Sequence, residues 1–190
     1  MKFACLLATG FEETEAITVV DCLRRVGITT DLVSIHEINV TGSHGITILA
    51  DKLFISMGEY DGLFLPGGQP GSTNLANDFR VLELVQNYVK DDKWICAICA
   101  APTVLAKAGV LEGKHMTSYP TSNENGLFAN ALYSEERVVV DGKLVTSRAM
   151  GTALELGIKL VHVLGYDSTK LSNSILFQNK DTKNNDRIHL

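Results

Sequence analysis

The sequence has few of the features that mark a secreted, membrane or nucleic-acid-binding protein. It contains only four cysteines in 190 residues, too few for a disulfide scaffold. Its longest small and apolar run, residues 94–102, is far short of the roughly 20 residues that cross a bilayer. Lys and Arg (17) are outnumbered by Asp and Glu (22), which argues against a general nucleic-acid binder, because contacts to the phosphate backbone need clustered Lys and Arg. We therefore expect a reduced, cytoplasmic protein with no nucleic-acid and no membrane partner.

The length and the apolar content fit one domain. Hydrophobic residues make up 45% of the chain, and a chain of this size buries roughly 70% of its unfolded surface. We predict a single domain over residues 1–178, followed by a polar tail, residues 179–190, that is frayed.

Strand-like and helix-like segments alternate along the chain. Apolar runs typical of buried parallel strands cover residues 3–8, 30–35, 62–65 and 94–98. Helical spacing predicts helices near residues 12–26, 79–90, 100–108, 152–164 and 168–177. Antiparallel pairs are predicted within residues 38–53 and 138–146. The alternation predicts an α/β fold, a flavodoxin-like three-layer α/β/α sandwich with a mostly parallel sheet.

Cys99 directly follows a predicted strand and directly precedes a predicted helix. This is the context of a nucleophile elbow, and Ala100 and Ala101 are small enough for its tight turn. At a helix N-terminus the thiolate is favoured by the dipole and by free N–H groups. A buried structural cysteine, the commonest state of a free thiol, is the alternative.

Cys96 and Cys99 also form a C-x-x-C pair. Because Cys96 lies inside the predicted strand and not at the helix start, a redox dithiol is weakly supported. A zinc site would need a second pair of ligands, which the sequence does not offer. We predict no metal and no organic cofactor.

Acidic residues crowd the start of the first helix. We interpret Glu12 and Glu13 as solvated side chains whose negative charge compensates the positive end of the helix dipole. Glu15 lies one turn deeper than Glu12, and beside Cys99 it would lose water, so that its pKa would rise. Protonated, it could donate a hydrogen bond to a thiolate. The same negative charge disfavours a flavin phosphate at this helix start.

Gly67 and Gly68 follow another predicted strand. Two glycines let the backbone approach a ligand and turn N–H groups inward. Together with the N–H of Ala100 they could form an oxyanion pocket. A plain turn is the alternative interpretation.

Several motifs occur together in a characteristic order and spacing: EETE (12–15), LPGG (65–68), AICAAP (97–102) and TSR followed by GT (146–152). In this the chain resembles the ThiJ/PfpI superfamily, most closely its parkinsonism-associated deglycase (DJ-one) branch, over residues 2–164.

The resemblance implies a flavodoxin-like fold and a homodimer. It implies that Cys99 is the reactive cysteine, that Glu15 is a protonated carboxyl hydrogen-bonded to it, and that Gly68 and Ala100 supply backbone N–H groups. Arg25 matches an arginine that lies near the pocket at the dimer interface of this branch. Arg148, in the TSR motif, is a further expected pocket residue.

The sequence departs from the family pattern at three positions. Tyr119 stands where a histidine often lies near the cysteine, and an unperturbed tyrosine with a pKa near 10 cannot serve as a neutral-pH base. His44 stands where the branch has a second pocket arginine, and Met150 stands where it often has proline. These departures leave the fold expectation intact and the substrate open.

Two functions are consistent with this resemblance. In the first, Cys99 attacks the aldehyde carbon of a small α-oxoaldehyde or a glycated group, Gly68 and Ala100 hold the oxyanion, and Glu15 shuttles a proton. In the second, the protein is a non-enzymatic oxidation sensor or chaperone whose Cys99 is oxidised to a sulfinate.

Two other cysteine chemistries on related folds are disfavoured. A class-I glutamine amidotransferase would place a His-x-Glu pair late in the chain, but neither His162 nor His189 has one. A protease would require an identifiable histidine near Cys99.

Overall fold

The computed structural model describes residues 1–123 and 125–177, so the predicted tail lies outside the described residues. The strands are β1 (Lys2–Leu7), β2 (Thr29–Ser34), β3 (Asn39–Thr41), β4 (Thr47–Leu49), β5 (Lys52–Leu53), β6 (Gly62–Leu65), β7 (Trp94–Ile98), β8 (His115–Met116), β9 (Leu132–Tyr133), β10 (Val138–Asp141) and β11 (Leu144–Ser147). The helices are α1 (Glu13–Arg25), α2 (Gly71–Asn77), α3 (Phe79–Lys90), α4 (Pro102–Lys107), α5 (Ala153–Val163) and α6 (Ser168–Ser174).

Seven of these strands form the central sheet in the order β10-β11-β7-β6-β1-β2-β5. Every neighbouring pair is parallel except β10 and β11. The inner strands β1 and β6 are buried almost throughout, because their runs of apolar side chains are covered on both faces. The predicted mostly parallel sheet is confirmed.

Helices cover both faces of the sheet and create two hydrophobic cores. On one face α1 and α5 pack together, with Val19, Leu23 and Leu160 fully buried. On the other face α2, α3 and α4 contribute buried residues such as Val85 and Leu105. The predicted three-layer α/β/α sandwich is confirmed.

Some elements differ from the sequence predictions. Helix α2 was not predicted, since its seven residues, GSTNLAN, are mostly poor helix formers. The two-residue strands β5, β8 and β9 are too short for a hydrophobic period to be detected. The helix predicted from residue 100 begins at Pro102, because the preceding turn is needed to reverse the chain. No helix in the described parts of the chain is long and apolar enough to span a membrane.

The parallel strands bring several loops to one edge of the sheet. β1, β6, β7 and β11 run in the same direction, so the segments that follow them emerge on the same side. These segments are residues 8–12, 66–70, 99–101 and 148–152. In open α/β sheets this edge is where ligands bind.

Candidate active site

Cys99 is the first residue after β7 and has a left-handed backbone conformation, with φ +62°. Its N–H donates to the carbonyl of Ser147 at 3.0 Å, and its carbonyl accepts the N–H of Tyr119 at 2.8 Å. A non-glycine residue in this region costs roughly 1–2 kcal/mol, so the surrounding hydrogen bonds hold a strained elbow in place. The side chain is partly buried.

Glu15 lies in the first turns of α1 and is fully buried. Its Oε2 accepts the backbone N–H of Gly67 at 2.8 Å. Its Oε1 is buried and has no hydrogen-bonding nitrogen or oxygen neighbour in the described chain. Burial raises the pKa of Glu15 to about 7, and the nearby charge of Glu12 adds to this, while the Gly67 N–H and the Cys99 thiol oppose it.

The sequence predicted a lowered pKa for the thiol of Cys99, and in the structure this pKa is raised instead. Burial and the adjacent Glu15 carboxylate, which also accepts the thiol proton in a hydrogen bond, raise the pKa of Cys99 to about 12. The N–H groups of Ala100 and Gly68 donate to the sulfur and act in the opposite direction. The expected help from a helix dipole is small, since α4 has six residues and begins only at Pro102.

Glu15 and Cys99 therefore titrate as a pair that shares a proton. The pair loses its first proton near pH 7, at the pKa of Glu15, whichever of the two groups keeps the second. Above that pH the ionised carboxyl can take the thiol proton as the sulfur attacks an electrophile. A carboxylate with a pKa near neutrality is well matched to this work at physiological pH.

Gly67 is the point of closest approach between the pair and the backbone. A Cβ at this position would lie 2.6 Å from Cβ of Cys99 and 2.7 Å from Oε2 of Glu15. The next residue, Gly68, has φ +89°, a conformation that turns its N–H toward the sulfur and that glycine adopts without strain. Gly67 thus makes room for the pair. Gly68 both orients a donor and lets the backbone of Gly10 and Glu12 approach, since a Cβ there would lie 2.6 Å from the carbonyl oxygen of Gly10 and closer still to the backbone nitrogen of Glu12.

Glu13 is buried, so the prediction that it is a solvated helix-start residue is wrong. Its Oε1 accepts the N–H groups of His44 at 2.7 Å and Ile46 at 3.3 Å, and its Oε2 lies 3.0 Å from Nδ1 of His44. Burial opposes ionisation, but these hydrogen bonds outweigh it and hold the pKa of Glu13 below its usual range. The β3–β4 hairpin is thereby fastened to the start of α1.

Among the described residues, Glu12, Glu13 and His44 form a cluster whose carboxylate and imidazole groups could act as metal ligands. Their ligand atoms all lie within 4.8 Å of one another. The hydrogen bonds from the hairpin to Glu13 account for this cluster without a cation.

The other predicted pocket residues lie at varying distances from the pair. The backbone of Arg148 lies beside Cys99, since it follows the Ser147–Ile98 pair of the β11–β7 ladder, and its Nη1 is buried without a partner among the residues that the structure describes. Tyr119 is 43% exposed. The imidazole of His44 is bonded to Glu13 rather than to the thiol.

Arg25 lies far from the pair within the protomer. It is ten residues beyond Glu15 on the same helix, roughly 15 Å along the axis, and its guanidinium pairs with Asp21 at 2.5 Å. A place for Arg25 at a pocket between two protomers stays a prediction.

Cys96, the possible redox partner of Cys99, and His162, the possible amidotransferase histidine, both lie outside the elbow. Cys96 is fully buried in β7, where burial raises the pKa of its thiol. His162 lies on α5 with its Nδ1 3.5 Å from Oγ of Ser168.

Sequence reasoning missed the importance of Glu12. Its Oε2 accepts the N–H of Glu15 at 2.6 Å, and its own N–H donates to the carbonyl of Gly67 at 2.9 Å. The available signal was its position immediately before the first helical residue. Buried hydroxyls of Ser72 and Thr117, both without partners among the described residues, were missed as well.

Comparison with known proteins finds relatives that match most of the chain. Residues 1–163 match the DJ-1/PfpI family. The chain is 39% identical over 163 residues to the protein dj-1beta of Drosophila melanogaster, covering 84% of this chain and 87% of the relative. The crystal structure of Drosophila DJ-1beta superposes with a TM-score of 0.89 at 35% identity, covering 94% of this chain and 98% of that one.

Two further relatives differ in length and in assigned name. The DJ-1 homolog B of Arabidopsis thaliana is 39% identical over 162 residues, which are 83% of this chain but only 37% of that protein. A deglycase of Thermococcus kodakarensis is 33% identical over 153 residues, which are 80% of this chain and 92% of the relative. With its elbow cysteine, its buried glutamate and these matches along most of its length, the chain belongs to the DJ-1/PfpI family.

Proposed function

We propose that this protein is a cofactor-independent enzyme that uses Cys99 to attack small reactive aldehydes or early glycated groups. The observation that carries the proposal is the buried Glu15 next to the thiol, with its pKa raised to about 7. A nucleophile, a base matched to neutral pH and two backbone donors are the components that addition to a carbonyl requires.

The first step is the addition of the sulfur of Cys99 to the aldehyde carbon. An S–C bond forms, the carbonyl π electrons move to the oxygen, and the thiol proton passes to the carboxylate of Glu15. The N–H groups of Gly68 and Ala100, which face the sulfur, stabilise the alkoxide of the hemithioacetal.

With methylglyoxal, the second step is a proton shift between neighbouring carbons. Glu15 first gives the thiol proton to the alkoxide and is again a carboxylate. It then removes the proton from the carbon bonded to sulfur and returns it to the adjacent carbon, while the hydroxyl proton moves to the oxygen of that adjacent carbon, which gives a thioester of lactate on Cys99. Water hydrolyses this thioester to lactate and the free thiol. With a glycated group, the same attack by Cys99 would begin release of the amine.

The names of relatives support an activity of this kind. Archaeal relatives 32–33% identical to this chain carry the name deglycase, and the match covers 90–92% of their length. The reaction is therefore proposed for this chain on the agreement between those names and the chemistry of the Glu15–Cys99 pair.

A homodimer forms part of the proposal. Large apolar side chains are exposed on two neighbouring elements: Ile17 (44%) on α1, and Ile46 (57%) and Leu49 (68%) on the hairpin. Apolar surface of this kind supports burial against a second copy. Light scattering should give the mass of two chains, and Leu49→Glu should weaken the association.

The activity is tested by lactate formation from methylglyoxal. Cys99→Ser should lose it by at least about 100-fold, since an alcohol is a much weaker nucleophile at this pH. The matched control is Cys22→Ser, which changes a buried thiol away from the site. Wild-type turnover in Cys99→Ser would show that the nucleophile is wrongly assigned.

A redox sensor is the second candidate function. It is favoured by Tyr119, which stands where the family often has a histidine near the cysteine, and by His44, which is bonded to Glu13 instead of the thiol. Protonated Glu15 would hydrogen-bond a Cys99 sulfinate and slow further oxidation. Intact-mass analysis after mild peroxide should show two added oxygens on Cys99 and their loss in Glu15→Leu. Scattered oxidation over all four cysteines would reject the sensor.

A further inference from the structure

Glu12 lies at the centre of the hydrogen bonds that hold Glu15 beside the thiol. Its Oε2 accepts the N–H of Glu15 at 2.6 Å, and its N–H donates to the carbonyl of Gly67 at 2.9 Å. The N–H of Gly67 in turn donates to Oε2 of Glu15 at 2.8 Å. These three residues form a closed ring. Glu12 fixes both the helical turn that carries Glu15 and the loop that binds its carboxyl.

Helix capping alone does not explain a glutamate at this position. Ser, Thr, Asp and Asn are the preferred N-caps, because their short side chains reach the helix N–H groups most easily. Glu12 makes the capping bond and also brings a charge, on a side chain only 13% exposed, within one turn of Glu15. A charge in such a place is screened less than one in bulk water.

We propose that Glu12 is a positioning residue whose negative charge keeps a proton on the Glu15–Cys99 pair up to neutral pH. The inference rests on the proposed function, since it concerns proton transfer within the same pair. A carboxylate at Glu12 disfavours a second one at Glu15, and it is among the causes that raise the pKa of Glu15. The reactivity of the thiol is thereby tied to the pH range around neutrality.

Charged and titratable groups face this ring from three elements. α1 contributes Glu13 as well as the two glutamates of the ring, and the elbow contributes Cys99. The β3–β4 hairpin contributes His44, whose Nδ1 lies 4.0 Å from Oε1 of Glu12 and 3.0 Å from Oε2 of Glu13. Glu13 is turned toward the hairpin N–H groups. Glu13 therefore offers a matched control, because it carries the same charge one residue away but its carboxylate is directed at the hairpin and not at Glu15.

The test is the pH dependence of Cys99 alkylation by iodoacetamide, followed by mass spectrometry on the full chain. The sulfur bonds to the reagent carbon, iodide leaves, and the thiol proton passes to Glu15. Glu12→Gln keeps an oxygen for the cap and removes the charge. We expect its midpoint, the pH of half-maximal rate, to move to lower pH by about half a unit or more.

Further variants separate the charge from the cap. Glu12→Asp keeps the charge and should return the midpoint toward the wild-type value. Glu12→Ser is a preferred cap without a charge, and it replaces Glu12→Gln if that variant does not fold. Thermal melting of each variant checks that the fold is retained.

The outcomes distinguish this inference from the proposed function. Folded uncharged variants that keep the wild-type midpoint would overturn it. So would a Glu13→Gln variant that shifts the midpoint equally, because the effect would then depend only on overall charge. Failure of the proposed function has another signature: a wild-type profile without a midpoint near neutrality, or one that survives in Glu15→Gln.

Discussion

The backbone N–H of Gly67 donates to Oε2 of Glu15 at 2.8 Å, and Oε1 is buried with no hydrogen-bond partner among the described residues. The two carboxylate oxygens thus have separate tasks. One is held by the backbone, and we expect the other to exchange a proton with Cys99.

Removal of the ionisable carboxyl should abolish the neutral-pH dependence of thiol reactivity. In the wild type, the alkylation rate of Cys99 should rise about tenfold per pH unit below pH 7 and level off above it, as the pair loses its first proton. In Glu15→Gln this limb should be absent, and the rate should rise only at higher pH, where the thiol ionises alone. Stopped-flow alkylation measures both profiles, and identical profiles would contradict the assigned role of Glu15.

The same carboxyl should make stability depend on pH. Because the folded-state pKa of Glu15 is raised from 4.5 to about 7, its stabilising contribution is complete below pH 4.5 and is lost as the pH rises to about 7. Relative to wild type, Glu15→Gln should therefore gain about 3 kcal/mol in free energy of unfolding between pH 4.5 and pH 8. Urea denaturation at both values measures this. Glu83→Gln, on an exposed position of α3, is the control.

The elbow is so crowded that it should not tolerate a single methyl group added at Gly67. In Gly67→Ala, the new Cβ would meet both Cys99 and Glu15, so the pair must separate. We expect a fall of about 100-fold or more in turnover, because small displacements of reacting groups cost that much. Gly58→Ala, where a Cβ meets nothing within 4 Å, should leave turnover unchanged. Equal turnover in the two variants would argue against the observed packing.

Labelling of the folded protein should be confined to one thiol. Cys5, Cys22 and Cys96 are at most 1% exposed, whereas Cys99 is only partly buried and lies beside the carboxylate of Glu15, which can take its proton. Iodoacetamide at pH 8 should therefore modify Cys99 alone, and Cys99→Ser should remain unlabelled until denaturant is added. Peptide mass mapping identifies the sites. Rapid labelling of Cys5 or Cys96 in the native state would contradict the buried core.

The sequence was sufficient for the architecture and for the composition of the site, but not for its electrostatics. Apolar runs such as residues 94–98 specify buried strands, and the elbow at Cys99 follows from the strand, turn and helix around it. The proton affinity of the thiol could not be read in this way. It depends on burial and on the distance to Glu15, which are set by tertiary packing. For the same reason the buried state of Glu13 was missed, since its partners lie more than 30 residues away in the hairpin.

The left-handed backbone at Cys99 has a consequence for how this chain tolerates change. Glycine, and to a lesser degree asparagine, relaxes such a conformation, so either substitution is favoured wherever selection acts on folding alone. A cysteine kept at this position therefore records selection for something other than folding. If that selection were lost, a substitution at this turn would give a more stable protein that has no reactive thiol there.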